Sequence, residues 1–153
     1  MKIWLLALGA VSLSFPAAAQ QSAAPRIGQI RAQLYYEETG RLSGNIAPPA
    51  DFTAWNTIIG EGSAEEQARD ILISVEVLGQ GGQENISLPL DIVARGRGGR
   101  VLARRRIVHM LTSNGRVWST LWLNDATCGG PIEVIATIGR SSARTRLSMD
   151  CGE

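Results

Sequence analysis

The chain has 153 residues, 15 Lys and Arg against 14 Asp and Glu for a formal net charge of +1, 44% hydrophobic residues, 17 Gly, two Cys and one His. That length suits one domain able to bury about two-thirds of its unfolded surface. The apolar fraction excludes a disordered chain, the glycine content without heptads excludes a coiled coil, and the near-neutral total gives no sign of a uniformly basic nucleic-acid binder.

The chain starts Met1-Lys2, continues through the apolar stretch Ile3 to Phe15, and then reads Pro16-Ala17-Ala18-Ala19 before Gln20. A positive start, an apolar middle of this length and small residues at the cleavage position predict a signal peptide over residues 1–19. A spanning helix needs about 20 apolar residues, and this run is shorter and broken by Pro16. Gln20, not Cys, stands directly after the cleavage site, and no second apolar stretch of spanning length occurs. The expectation is a periplasmic or secreted bacterial protein, soluble after cleavage, with a flexible leader over 20–26 and one domain over 27–153. Cleavage removes Lys2, the only lysine, so every basic residue of the mature chain is arginine, a planar fork suited to carboxylate and phosphate.

Period-two alternation then dominates, as in half-buried strands. Strands are predicted at Ile27 to Tyr36, Ile71 to Leu78, Ile86 to Ala94, Val101 to Leu111, Val117 to Leu123, Ile132 to Ile138 and Arg144 to Asp150. Ser63, Glu65 and Glu66 suggest a short helical turn over Ser63 to Arg69. Asn114-Gly115 predicts a type I′ hairpin joining the strands on either side of it. In that register Leu111 meets Trp118, Ile107 meets Trp122, Thr112 meets Val117 and Val108 meets Leu121, so both faces of the hairpin are apolar. About seven short strands in one domain of this length predict an all-β fold, an antiparallel immunoglobulin-like β-sandwich, with a small closed β-barrel as the alternative.

The last hairpin is constrained more tightly. A two-residue type II′ loop at Gly139-Arg140 sets Ile132 opposite Leu147, Ala136 opposite Ala143, Glu133 opposite Arg146 and Cys128 opposite Cys151. Apolar meets apolar, acid meets base and thiol meets thiol, and a one-residue slip would reverse every side chain. An oxidising compartment permits the Cys128–Cys151 disulfide, worth about 3 kcal/mol on the chain-entropy account.

Counting excludes most catalytic machinery. The single histidine, His109, lies in an alternating run, and no G-x-S-x-G elbow, H-E-x-x-H helix, P-loop or EF-hand loop occurs. A carboxylate-based hydrolase drawing on Glu37, Glu38, Asp51, Glu61, Glu65, Glu66 and Asp70 is one alternative, although no motif positions any pair of them. Another is a ligand or calcium carrier built on the irregular segment from Asn45 to Asp70, whose oxygens match no known loop spacing. The plainer reading of that segment has Phe52, Trp55, Ile58 and Ile59 plugging one end of the sandwich while its acids stay in water.

Two binding candidates remain. Arg95, Arg97, Arg100, Arg104, Arg105 and Arg106 surround a Gly-rich turn in a run without an acid, able to grip phosphate, lipid headgroups or an acidic protein edge. No aromatic is interleaved among them to stack bases, so nucleic acid is not expected. Trp118 and Trp122 are candidate protein-binding anchors where the fold leaves them exposed.

The runs Tyr35-Tyr36-Glu37-Glu38-Thr39-Gly40-Arg41-Leu42-Ser43 and Trp55-Asn56-Thr57-Ile58-Ile59-Gly60-Glu61-Gly62, with Cys128 and Cys151-Gly152-Glu153, resemble small exported bacterial proteins of uncharacterised function. The resemblance implies the bacterial periplasm and carries no site residue. Taken together, the sequence predicts an exported, non-enzymatic binding or adaptor domain with no cofactor or metal, whose partner is another envelope protein or an anionic envelope component. Charge is uneven along the chain: residues 37–91 hold ten acids and two arginines, and residues 95–116 hold seven arginines and no acid. Interleaved strands would neutralise these blocks; segregated strands would give an acidic side and a basic side.

Overall fold

A computed structural model describes residues 24–47, 54–80, 88–108 and 113–150. Seven long strands form two antiparallel sheets packed as an immunoglobulin-like β-sandwich. In one sheet β1 (Arg26–Tyr36), β4 (Asp70–Leu78) and β7 (Arg116–Leu123) lie side by side, with the short β2 (Arg41–Leu42) on the outer edge of β1. The other sheet has the order β6 (Val101–Ile107), β5 (Leu90–Arg95), β8 (Ile132–Ile138), β9 (Ser141–Leu147). Two short strands, β3 (Ala54–Trp55) and β10 (Met149–Asp150), pair in parallel.

The period-two pattern becomes the core directly. Ile71, Ile73, Val75 and Val77 of β4 face Leu90, Ile92 and Ala94 of β5 and Ile132, Val134, Ala136 and Ile138 of β8, and all are at most 1% exposed. At about 25 cal/mol per Å2 of apolar surface removed from water, each large aliphatic here contributes about 1.5–3 kcal/mol. The segment after β2 closes one end of the sandwich. Thr57, Ala64 and Ala68 are buried near the Tyr36 end of β1, Ile46 and Ala47 are buried along its edge, where Ile46 N–H donates to Ala32 O, and Ile59 is 55% exposed. Of the expected plug residues, Ile58 is half-buried and Ile59 is not part of the plug; Phe52 and the Trp55 side chain lie outside the described residues.

The last hairpin has the predicted register, from Ile132 opposite Leu147 to Ile138 opposite Ser141. Gly139 stands at φ 54°, as the first central position of a type II′ turn requires.

Four expectations are corrected. β6 and β7 do not pair: β6 joins β5, and β7 joins β4, so that Trp118 stands opposite Glu76 and Trp122 opposite Leu72. Asn114 does not have positive φ; its Oδ1 accepts from the Arg116 N–H at 3.1 Å, and Gly115 alone takes φ 69°. This Asx-type turn leads the chain into the other sheet, a role Asn-Gly fills as readily as a hairpin. No helix forms over Ser63 to Arg69, because its backbone bonds elsewhere. Ala68 N–H donates to Thr57 O at 2.9 Å, Gln67 O accepts from Glu37 N–H, and Glu65 N–H donates to the Tyr36 hydroxyl. A 3-10 turn stands earlier, at Thr57–Ile59. Finally, β5 begins at Leu90, with Leu88 in a bend before it; Ile86 lies outside the described residues.

Candidate functional site

Alternation sends every second residue of β5, β6, β8 and β9 to the outside of their sheet, and strand order then decides which of them meet. Cross-strand partners give three rows on that outer face. Arg106, Asp91, Thr137 and Ser142 form the first; Arg104, Val93, Ile135 and Arg144 the second; Arg95, Glu133 and Arg146 the third. This sheet and its turns carry nine of the fourteen arginines and, among acids, only Asp91 and Glu133. The other sheet and its described loops carry five arginines and eight acids. The fold therefore segregates the charge blocks.

The six arginines of the 95–106 run do not act as one cluster. Arg104 forms a fork on Asp91, with Nε to Oδ1 at 2.9 Å and Nη2 to Oδ2 at 2.5 Å. That hydrogen bond, opposed by partial burial and aided by the charges of Arg104 and Arg106, holds the Asp91 carboxyl below the usual carboxylate range. Arg105 faces the opposite way and donates to the carbonyl and hydroxyl of Thr120, at 2.6 and 3.2 Å, tying the β6 edge to the β7 edge. Arg100 lies beside the 124–129 turn in a shallow cleft shared with Val101, Leu123 and Asp125.

Arg95 and Arg97 join Arg146 instead. With Gly96, Gly98, Gly99, Pro131 and Glu133 they line an open basin of about 410 Å3 at one end of the sheet. Arg144 and Arg146 were missed as site residues in the sequence. Their signal was the hairpin register, which faces Arg146 to Glu133, but only strand order brings β9 and the 95–106 run onto one surface.

Trp118 and Trp122 lie on the outer face of the other sheet. The Arg31 guanidinium sits 4.3 Å above the Trp118 ring, and Trp122 Nε1 donates to Asp70 Oδ2 at 3.1 Å while its ring meets Tyr35 edge-on at 5.4 Å. Trp122 is 38% exposed, but both indoles are held by neighbours on their own sheet and neither adjoins the basic face.

The acids gather at the same end of the sandwich on the other sheet. Glu37, Glu38, Glu65 and Glu66 line a basin of about 570 Å3 together with Ile59. Glu66 receives Arg41 Nη2 at 2.6 Å and the Thr39 hydroxyl at 2.8 Å; the Arg41 hydrogen bond, against some desolvation, draws its carboxyl below the ordinary range. Glu37 stands 3.8 Å from Arg69, Glu61 accepts from Asn56, and Asp70 holds both Trp122 and the Asp125 N–H. Glu37, Glu61, Glu65, Glu66 and Asp70 thus each have a partner on the protein. Among the described residues no group of three or more His, Cys, Asp or Glu is arranged to hold a metal ion. Asp51 and His109 lie outside the described residues, as does Cys151. Cys128 is exposed in the turn after β7, and there is no free cysteine among the described residues.

No family model matches the chain, and no curated protein matches it. Among solved structures that do, Bifidobacterium dentium β-glucuronidase complexed with coumarin-3-O-glucuronide aligns at 16% identity with a TM-score of 0.42. That alignment covers 83% of this chain and 18% of the glucuronidase chain.

Proposed function

We propose that this is an exported, non-enzymatic binding domain of the bacterial envelope, which docks an anionic partner on the outer face of the β6-β5-β8-β9 sheet. The observation that carries this reading is the charge segregation: nine arginines against two acids on one sheet and its turns. Complementary fields of this kind steer a partner and fix its orientation more than they add affinity. Val93 and Ile135, half-buried at the centre of the face, give the contact an apolar middle within a charged rim.

Export rests on the residue 1–19 pattern of charge, apolar run and small residues. The Cys128–Cys151 disulfide belongs to the same reading: the hairpin register holds from Ile132 to Ile138 and stops short of both cysteines, Met149–Asp150 pairing with β3 instead, and an exported protein can form the bridge. Among the described residues no helix is long and apolar enough to cross a membrane.

The test is crosslinking in intact cells, followed by mass spectrometry of the product, with the protein unaltered and with Arg104, Arg106 and Arg144 each changed to Glu. The reading expects one dominant adduct in the envelope fraction that fades with added salt and disappears on charge reversal. An adduct indifferent to all three reversals would remove the basic face as the contact. The same samples give the mature N-terminus, expected at Gln20.

A further inference from the structure

The arginine-rich face is concave at one end, and the chemistry of that basin is narrower than general basicity. Arg95 comes from the end of β5, Arg97 from the turn that follows it and Arg146 from β9, and the three line one basin. Among the described residues none of these three guanidinia has an ion-pair partner within 4 Å, in contrast to Arg104 on the same sheet. Glu133 stands between Arg95 and Arg146 in the cross-strand row, but its carboxylate is 3.5 Å from Arg144. The basin therefore keeps an excess of positive charge.

The turn that carries Arg97 is tight: Gly99 N–H donates to Gly96 O and Arg100 N–H to Arg97 O, with Gly98 at φ 67° and Gly99 at φ 78°, conformations that favour glycine at both positions. The Arg97 guanidinium lies against Gly130, whose φ of 78° favours glycine.

We propose that this basin is an oxyanion site that binds a phosphate group carried by its ligand. The proposal rests on the reading that the face is a docking surface and names what one end of it grips. Three forked cations offer more donors than the two oxygens of a carboxylate can use, whereas a tetrahedral phosphate presents three or four acceptors. The phosphate can belong to a soluble phosphomonoester or to a phospholipid headgroup, and the chemistry of the site is the same for both.

The probes are inorganic phosphate, glycerol phosphate and phosphatidylglycerol vesicles, with acetate as the carboxylate control, titrated into the purified protein by isothermal calorimetry or amide chemical shifts. At least one phosphate probe should saturate, with shifts confined to residues 95–99, 130–133 and 146. Arg97→Gln and Arg146→Gln should each weaken that binding about tenfold or more, while Arg106→Gln, on the same face outside the basin, should leave it within about twofold. All three arginines are exposed, so unchanged thermal unfolding of the variants shows that the loss is one of binding. The proposal is overturned by any of three results: no phosphate probe saturates, acetate binds as tightly, or Arg106→Gln weakens binding as much as Arg97→Gln. If phosphate binding fails while charge reversal at Arg104 and Arg106 still abolishes the crosslink, the docking face stands without this site. If phosphate binds and the crosslink ignores those reversals, the site stands alone.

Discussion

Gly28 tests the packing of the sheet opposite the proposed docking face. It lies in a β-bulge of β1, where the pairing with β4 shifts by one residue between Ile27 and Ile30. Its φ is not positive, so the backbone itself would accept alanine. The obstacle is steric: an added Cβ would fall 2.3 Å from Glu76 Oε2 and 2.9 Å from its Cδ. Glu76 is only 3% exposed and stands 2.9 Å from Arg116 Nε, so its carboxylate cannot shift without loosening an ion pair. Overpacking of a filled site costs about 1–3 kcal/mol. Disturbing a buried pair adds to that, but Arg116 is 56% exposed, so its share belongs at the low end. Gly28→Ala should therefore destabilise by about 2–3 kcal/mol, seen as a lower urea midpoint at unchanged m and a Tm drop of roughly 8 °C. In a Glu76→Ala background the same substitution should cost little, giving a coupling above about 1 kcal/mol. A Gly28→Ala protein within about 0.5 kcal/mol of wild type, or strict additivity with Glu76→Ala, would refute the reasoning.

Two further outcomes concern Asp91 and the cysteines. The carboxyl of Asp91 titrates lower in the folded chain than when unfolded, so its pairing with Arg104 stabilises above the ordinary aspartate pKa of about 3.9 and that contribution fades as pH falls through the folded value. Asp91→Asn should cost up to about 1 kcal/mol at pH 6, because Arg104 is largely exposed, and the gap from wild type in urea midpoint should close on acidification; a gap that widens contradicts the pairing. Reduction of the exported protein, or Cys128→Ser, should cost about 3 kcal/mol, with intact mass two hydrogens below the dithiol; two titratable thiols in the native protein would show that the bridge does not form.

The strands were legible because alternation is local and each sheet buries one face, so Ile71 to Val77 and Ile132 to Ile138 announce both strand and core. The last hairpin was legible for a further reason: a two-residue turn leaves no freedom of register. The partner of β7 was not legible. Asn114-Gly115 reports only that the chain turns, and whether β7 then pairs with β6 or with the distant β4 depends on which apolar face fills the sandwich. Ser63 to Arg69 misled in a similar way. Glu65 and Glu66 suit a helix start, but Glu66 is taken by Arg41 and Thr39, and the backbone there bonds Tyr36 and Thr57. The arginine run was visible as composition, but its division was not: Arg105 turns to the sheet edge, Arg104 is matched by Asp91, and Arg95 and Arg97 gain Arg146 only through strand order.

The central claim is that the basic sheet face, and not the aromatic face behind it, meets the partner. The most direct measurement places a photocrosslinking amino acid in living cells at Thr137, on the outer face of β8, or at Ser74, on the outer face of β4. The account predicts a discrete, salt-sensitive adduct from position 137 that is lost when Arg104 and Arg106 are changed to Glu, and none from position 74. The same adduct from position 74, or one at 137 that survives both reversals, would contradict it.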